Sequence, residues 1–146
     1  MLKTIEQVDK ECILRAIPPT YGKTYTVIEH KFIIQTAENA FDRNHLKIKS
    51  EKFRRTGLSH IVNGWYTLDY KEDPQYETAY AFTNSYNKQK RFESAIGVIY
   101  KVKAKNTDED VYVPVIKELN AWKRKHTGSA DQEAYEEVNY QIDNFK

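Results

Sequence analysis

Apolar positions change their period along this chain, and the changes predict its elements. Ile5, Val8, Cys12 and Ile13 recur at helical spacing, which predicts a helix over about 4–15. Pro18-Pro19 stops it, because proline cannot supply the next helical N–H. The segment 21–27, with Gly22 inside it, reads as an extended connection. A second helix is predicted over about 30–42, where Ile33, Ile34, Ala37 and Phe41 form one stripe. The period then falls to two, the repeat of a strand. Leu46 and Ile48 alternate with Lys47, Lys49 and Glu51. After Thr56-Gly57 comes a strand over 60–70. One face carries Val62, Gly64, Tyr66, Leu68 and Tyr70; the other carries Ile61, Asn63, Trp65, Thr67 and Asp69. Asp73-Pro74 marks a turn, and a third strand runs over 77–83.

Beyond that strand, Asn84-Ser85-Tyr86-Asn87 is a polar corner able to turn the backbone. A short helical turn is expected over 91–96, a fourth strand over 97–104 and a loop over 106–110. Pro114 suits the first position of a helix. Val115, Ile116, Leu119 and Trp122 predict that helix over 113–125, with Lys123, Arg124 and Lys125 at its negative end. Ser129 and Gln132 have capping-box spacing for a final helix with the stripe Tyr135, Val138, Ile142 and Phe145. Sequential strands joined by short turns make an antiparallel meander the economical topology. The expected fold class is therefore α+β. It comprises an antiparallel meander sheet of three to four strands, an N-terminal helix before it, and helices packed after it. One domain is expected over 1–146, with a core over 19–104 and a helical part over 113–146.

With 146 residues the chain is long enough to bury one core. No apolar run approaches bilayer length, and Glu6, Asp9 and Glu11 interrupt the N-terminal stretch, unlike a signal peptide. The single cysteine, Cys12, excludes an internal disulfide and is expected as a small buried hydrophobe. A cytoplasmic protein with no membrane partner is the expectation.

The net charge of +2 conceals segregation. Arg43, Lys47, Lys49, Lys52, Arg54 and Arg55 stand against only Asp42 and Glu51. Lys88, Lys90, Arg91, Lys101, Lys103 and Lys105 stand against only Glu93. The tail turns acidic, with Asp131, Glu133, Glu136, Glu137 and Asp143. An anionic partner sees a face rather than a total. Lysines that coat sheet edges against aggregation would give the same pattern.

Catalytic signatures are missing. His30, His45, His60 and His126 fit no zinc-binding helical spacing. There is no phosphate-binding glycine loop and no glycine-flanked nucleophile serine. Asp69, Glu72 and Asp73 flank a proline turn and read as solvated turn residues. His30 reads as a capping or surface residue. No catalytic residue, metal or cofactor is expected. What remains is a binding profile. Cations alternate with rings at Phe53-Arg54-Arg55, Tyr86-Asn87-Lys88, Arg91-Phe92 and Tyr100-Lys101. Phosphate-neutralising cations interleaved with stacking rings are the equipment of single-strand binders.

The stretch 19–102 resembles a phage- and plasmid-associated family of unknown function. Pro19-Thr20-Tyr21, Val27-Ile28-Glu29-His30-Lys31, the strand with Gly64 and Tyr66, Phe82-Thr83-Asn84-Ser85-Tyr86-Asn87-Lys88 and Gly97 carry the likeness. In that family a similar Asn-Ser-x-Asp-Lys segment precedes a glycine-containing stretch; here Asn87 replaces the acidic residue. The family's Cys-x-Asn segment is missing, since 102–106 reads Val-Lys-Ala-Lys-Asn. The resemblance implies a phage or mobile-element protein acting in a bacterial host, and it brings no catalytic residues. The predicted order of helix, strands and helix is also similar in outline to phage-type single-strand annealing proteins, a fold-level analogy.

These readings lead to a non-catalytic nucleic-acid-binding protein, with single strands favoured, for replication or recombination. Lys47, Lys49, Lys52, Arg54 and Arg55 are the expected phosphate contacts, extended by Lys88, Lys90 and Arg91. Asn84, Ser85 and Asn87 are expected to shape the corner, and Tyr86 and Phe92 to stack on bases. The alternatives are a protein-interaction or virion-associated module, self-association included, and a counter-defence protein that sequesters a small nucleotide.

Overall fold

The computed structural model describes residues 5–18, 26–57, 60–69, 76–86, 91–103 and 110–144, side chains at 76, 99–103 and 110–121 excepted. Six antiparallel strands form one sheet in chain order. They are β1 (Ile5–Val8), β2 (Lys47–Thr56), β3 (Ile61–Asp69), β4 (Tyr76–Ser85), β5 (Phe92–Lys103) and β6 (Asp110–Arg124). Three helices accompany them: α1 (Lys10–Leu14), α2 (His30–Arg43) and α3 (Ala130–Asp143).

The helices gather on one side. Register places Tyr66 opposite Tyr80, and Tyr80 opposite Ile96, so these side chains share a face. The Phe41 ring of α2 meets Tyr66 edge-on at 5.1 Å and Tyr80 at 5.5 Å. Gln141 of α3 exchanges two hydrogen bonds with Ser94 of β5, whose Oγ donates to Oε1 at 2.7 Å. Lys10 of α1 bonds Glu38 of α2 at 3.1 Å. The core therefore lies between the helices and the face holding Phe53, Val62, Tyr66, Leu68, Tyr80, Phe82 and Ile96. Each such side chain contributes on the order of 2 kcal/mol through removal from water. On β3, Gly64 sits opposite Phe82, whose ring occupies the space a side chain there would fill.

This architecture corrects the expected fold class. The sheet has six strands rather than three to four, and the N-terminal helix over 4–15 is absent. In its place β1 pairs with β2, Ile5 opposite Thr56 and Val8 opposite Phe53, and only one short helix, α1, follows. The free edge of the ten-residue β2 offers backbone partners that outweigh local helical spacing. Cys12 is consequently exposed rather than buried.

The expected helix over 113–125 is also overturned: 110–124 is β6, paired along β5. Its apolar residues satisfy a helical stripe, but Val111, Tyr112, Val113, Val115 and Ile116 are strand formers. Pro114 falls where the register shifts, between Tyr112 opposite Lys101 and Ile116 opposite Ile99. A missing N–H costs least at such an irregularity. The helical turn expected at 91–96 is likewise the start of β5. At α3, Ser129 is the N-cap but makes no side-chain cap bond; its hydroxyl donates to Glu133 at 3.1 Å. Tyr70, Glu72, Asp73 and the connection at 19–25 lie outside the described residues. Among the described residues, no helix is long and apolar enough to cross a membrane.

Candidate functional site

The sheet's other face carries no helix among the described residues. Register arranges it in rows. One runs Lys52, Trp65, Ala81, Ala95 from β2 to β5. The next runs Arg54, Asn63, Thr83, Glu93, Lys123 from β2 to β6. Trp65 is 38% exposed. The Thr83 hydroxyl donates to Asn63 Oδ1 at 2.6 Å. Glu93 is neutralised by Lys123 at 3.3 Å.

The predicted cations separate on this frame. Lys52 and Arg54 are exposed on the helix-free face, and no acidic side chain pairs with either among the described residues. Lys49 falls at the register shift between Ile48 and Ser50, and its ammonium lies 3.9 Å from Glu77. Lys47 is exposed at the far end of β2, opposite Asp69. Arg55 sits opposite the buried Val62 on the helix side, its Nε donating to Glu6 at 2.8 Å. Arg91 is exposed at the start of β5. Asn87, Lys88 and Lys90 lie outside the described residues. Lys47 and Lys49 therefore stand at the opposite end of the strands from Asn84 and Ser85. Among the described residues, the structure joins Lys52 and Arg54 but forms no continuous track.

The corner is internal over 84–86, which corrects the expected role of these residues. Asn84 and Ser85 have no exposed surface, Tyr86 is 4% exposed and Phe92 is buried against Trp122. Neither Tyr86 nor Phe92 presents a ring for stacking. Asn84 is instead a hydrogen-bond hub. Its Nδ2 donates to Ile28 O at 2.6 Å and to His30 Nδ1 at 3.0 Å, and its Oδ1 accepts from His126 Nε2 at 2.7 Å. Tyr86 stacks on the His30 ring at 3.7 Å, and its hydroxyl accepts from the His30 N–H at 2.8 Å. His30, expected at the surface or as a cap, is thus wholly buried. Burial lowers the His126 pKa from its ordinary 6.5, because the charged ring loses water. Thr26 N–H donates to His126 O at 2.9 Å and completes the clasp. The chain before α2, the end of β4 and the segment before α3 are held together here.

A second polar group sits between α1, α2 and β2. Lys10 bridges Glu38 at 3.1 Å and Glu51 at 3.4 Å, and the Tyr66 hydroxyl donates to Glu38 at 2.9 Å. Desolvation, reinforced by the Glu38 carboxylate, pushes the Tyr66 phenol far above its usual range. Desolvation opposes the Lys10 charge, but the bond to Glu38 prevails and raises its pKa. Among the described residues, no group of His, Cys, Asp or Glu stands ready to hold a metal ion.

Sequence reasoning missed Trp65 as a surface group, although alternation had set it on the face opposite Tyr66. The partners of Asn84 left no local signal, since His30 and His126 are 54 and 42 positions away. No family model, curated protein or solved structure matches the chain.

Proposed function

We propose that the chain is a non-catalytic nucleic-acid-binding protein that receives single strands on the helix-free face of its sheet. The observation that carries this reading is the pair Lys52 and Arg54. They are exposed two residues apart on one face, without acidic partners among the described residues. Unneutralised cations on a face attract phosphates and release counterions on binding. Arg91, exposed just before β5, adds a further cation at one end of the sheet. The likeness of 19–102 to a phage- and plasmid-associated family of unknown function, read from short sequence motifs, supports action in a bacterial host; the role in replication or recombination rests on the binding profile itself.

Fluorescence anisotropy with labelled single-stranded and duplex DNA at low and moderate salt tests this. Salt-sensitive binding that prefers the single strand is expected, weakened by Lys52→Glu/Arg54→Glu and little changed by Lys49→Ala. No binding at low salt would remove the reading. One observation favours a protein-interaction module instead: Tyr135 and Tyr140 of α3 are 44% and 57% exposed, and tyrosine is a frequent interface anchor. Light scattering that shows a stable oligomer, disrupted by Tyr140→Lys, would support it.

A further inference from the structure

Trp65 is an anomaly among the rings of this sheet. Phe41, Phe53, Tyr66, Tyr80 and Phe92 are fully buried and meet other rings. Trp65 lies on the interior strand β3 yet meets no other ring among the described residues and is 38% exposed. Its cross-strand neighbour is Ala81, and beyond that Ala95. A methyl group covers an indole only in part, so 38% of the residue's surface stays exposed. Burial of the rest of the ring stabilises the strand, but the exposed part of the indole adds nothing to that and is open to a ligand.

The groups around it are those a nucleotide requires. Lys52 is directly opposite Trp65 on β2, a separation of about 5 Å between side-chain origins. Arg54 lies two residues further along the same face, about 7 Å on. Asn63, beside Arg54, has its Oδ1 engaged by the Thr83 hydroxyl. The amide hydrogens of Asn63 then remain for an incoming acceptor. The nearby acids Glu93 and Glu77 are already paired with Lys123 and Lys49.

We propose that Trp65 seats one unstacked nucleobase, with the Asn63 amide donating to an acceptor on the base edge and Lys52 and Arg54 holding the adjoining phosphates. This rests on the nucleic-acid reading above and assigns its stacking site. Flat contact between base and indole is available only to a base outside a duplex, so the seat also gives the preference for single strands a cause.

The test compares a thymidine oligonucleotide with an abasic sugar–phosphate oligomer of equal length and charge, by anisotropy at fixed low salt. The wild-type chain is expected to bind the thymidine oligomer about ten- to a hundred-fold tighter, the range of one base–aromatic stack. Trp65→Ala should remove most of that discrimination while leaving affinity for the abasic oligomer unchanged. Asn63→Ala should weaken thymidine binding several-fold without affecting the abasic oligomer. Lys52→Ala/Arg54→Ala should weaken both alike. Circular dichroism and a thermal melt confirm that each variant is folded. If folded Trp65→Ala still discriminates like wild type, the seat is overturned while nucleic-acid binding stands. If wild type binds both oligomers equally, the seat fails in the same way. If wild type binds neither, both readings fall. A change in mass on Trp65→Ala with discrimination intact would assign the ring to a protein contact and overturn the seat.

Discussion

Nδ2 of Asn84 stands 3.0 Å from Nδ1 of His30, and this contact sets the tautomer of a wholly buried ring. An amide nitrogen can only donate, so His30 Nδ1 accepts and the ring's proton resides on Nε2. The other end of the same amide accepts from His126, so a single side chain orients two histidines from distant parts of the chain.

Replacing Asn84 therefore does more than remove one bond. Asn84→Ala orphans the Ile28 carbonyl and the His126 donor inside the protein. Each buried group left unsatisfied costs about 1–3 kcal/mol. A loss of roughly 2–5 kcal/mol is expected in urea denaturation, with no change in m. Asn84→Asp should not rescue it, because a carboxylate cannot donate to Ile28 O.

The clasp also gives stability a slope on the acid side. His126 is held neutral, with a folded pKa below the ordinary 6.5. The unfolded chain then binds more protons in the window just under 6.5, so stability rises with pH there. This contribution is complete above the unfolded value and is lost as pH falls through the lowered folded one. The slope reaches at most about 1.4 kcal/mol per pH unit for one group. Urea midpoints measured from pH 7.5 to 5 should show it, and His126→Gln, which keeps a donor but cannot titrate, should flatten it.

An opposite slope is expected in alkali. Desolvation raises both Tyr66 and Tyr80 above their usual 10.0, at Tyr80 partly offset by the Ser94 side chain, and the buried Tyr80 hydroxyl makes no well-formed hydrogen bond among the described residues. Above pH 10 the unfolded chain loses phenolic protons that the folded one retains, so stability falls as pH rises. Ultraviolet titration should leave these two phenols un-ionised until the protein unfolds. Tyr80→Phe should be neutral or stabilising at pH 7, because it removes a buried hydroxyl that lacks a well-formed hydrogen bond.

Gly64 tests the packing of the sheet on its helix side. An added Cβ would lie 2.7 Å from Phe82 Cζ, closer than atoms tolerate. Gly64→Ala is expected to cost about 1–3 kcal/mol through overpacking. Gly64→Ala/Phe82→Leu should recover part of that loss in thermal melts; a double variant as unstable as the sum would place the strain elsewhere.

Outside the core, α2 and α3 are joined by a charge clamp. Arg43 Nη2 reaches Asp143 at 2.8 Å and Asn139 at 2.9 Å, while Asn44 Nδ2 reaches Asp143 at 2.6 Å. The pair is half exposed, so Arg43→Ala should cost no more than about 1 kcal/mol, less in high salt.

Parts of this fold are legible in the chain. The stripe Ile33, Ile34, Ala37 and Phe41 is buried along α2. The alternation across β3 sends Val62, Gly64, Tyr66 and Leu68 inward and Trp65 outward. The cations Lys52 and Arg54 could be read as facing solvent, but their common face with Trp65 depended on register. The tail helix α3 buries Val138 and Ile142 of its expected stripe but leaves Tyr135 exposed, and Phe145 lies outside the described residues. In each case period and apolarity act over a few neighbouring residues, so local spacing is enough.

The sequence by itself determined which segments are amphipathic, that α2 is helical, that β3 has a buried and an outer face, and that charge is segregated. Only the tertiary structure decided that 5–8 and 110–124 are strands, because the free edges of β2 and β5 supply hydrogen-bond partners that outweigh helical spacing. It also turned the Asn84–Tyr86 corner inward and set Trp65 directly opposite Lys52. Those outcomes depend on strand register and, at Asn84, on partners more than forty positions away in the chain, and pairing between separate segments leaves no trace in local composition.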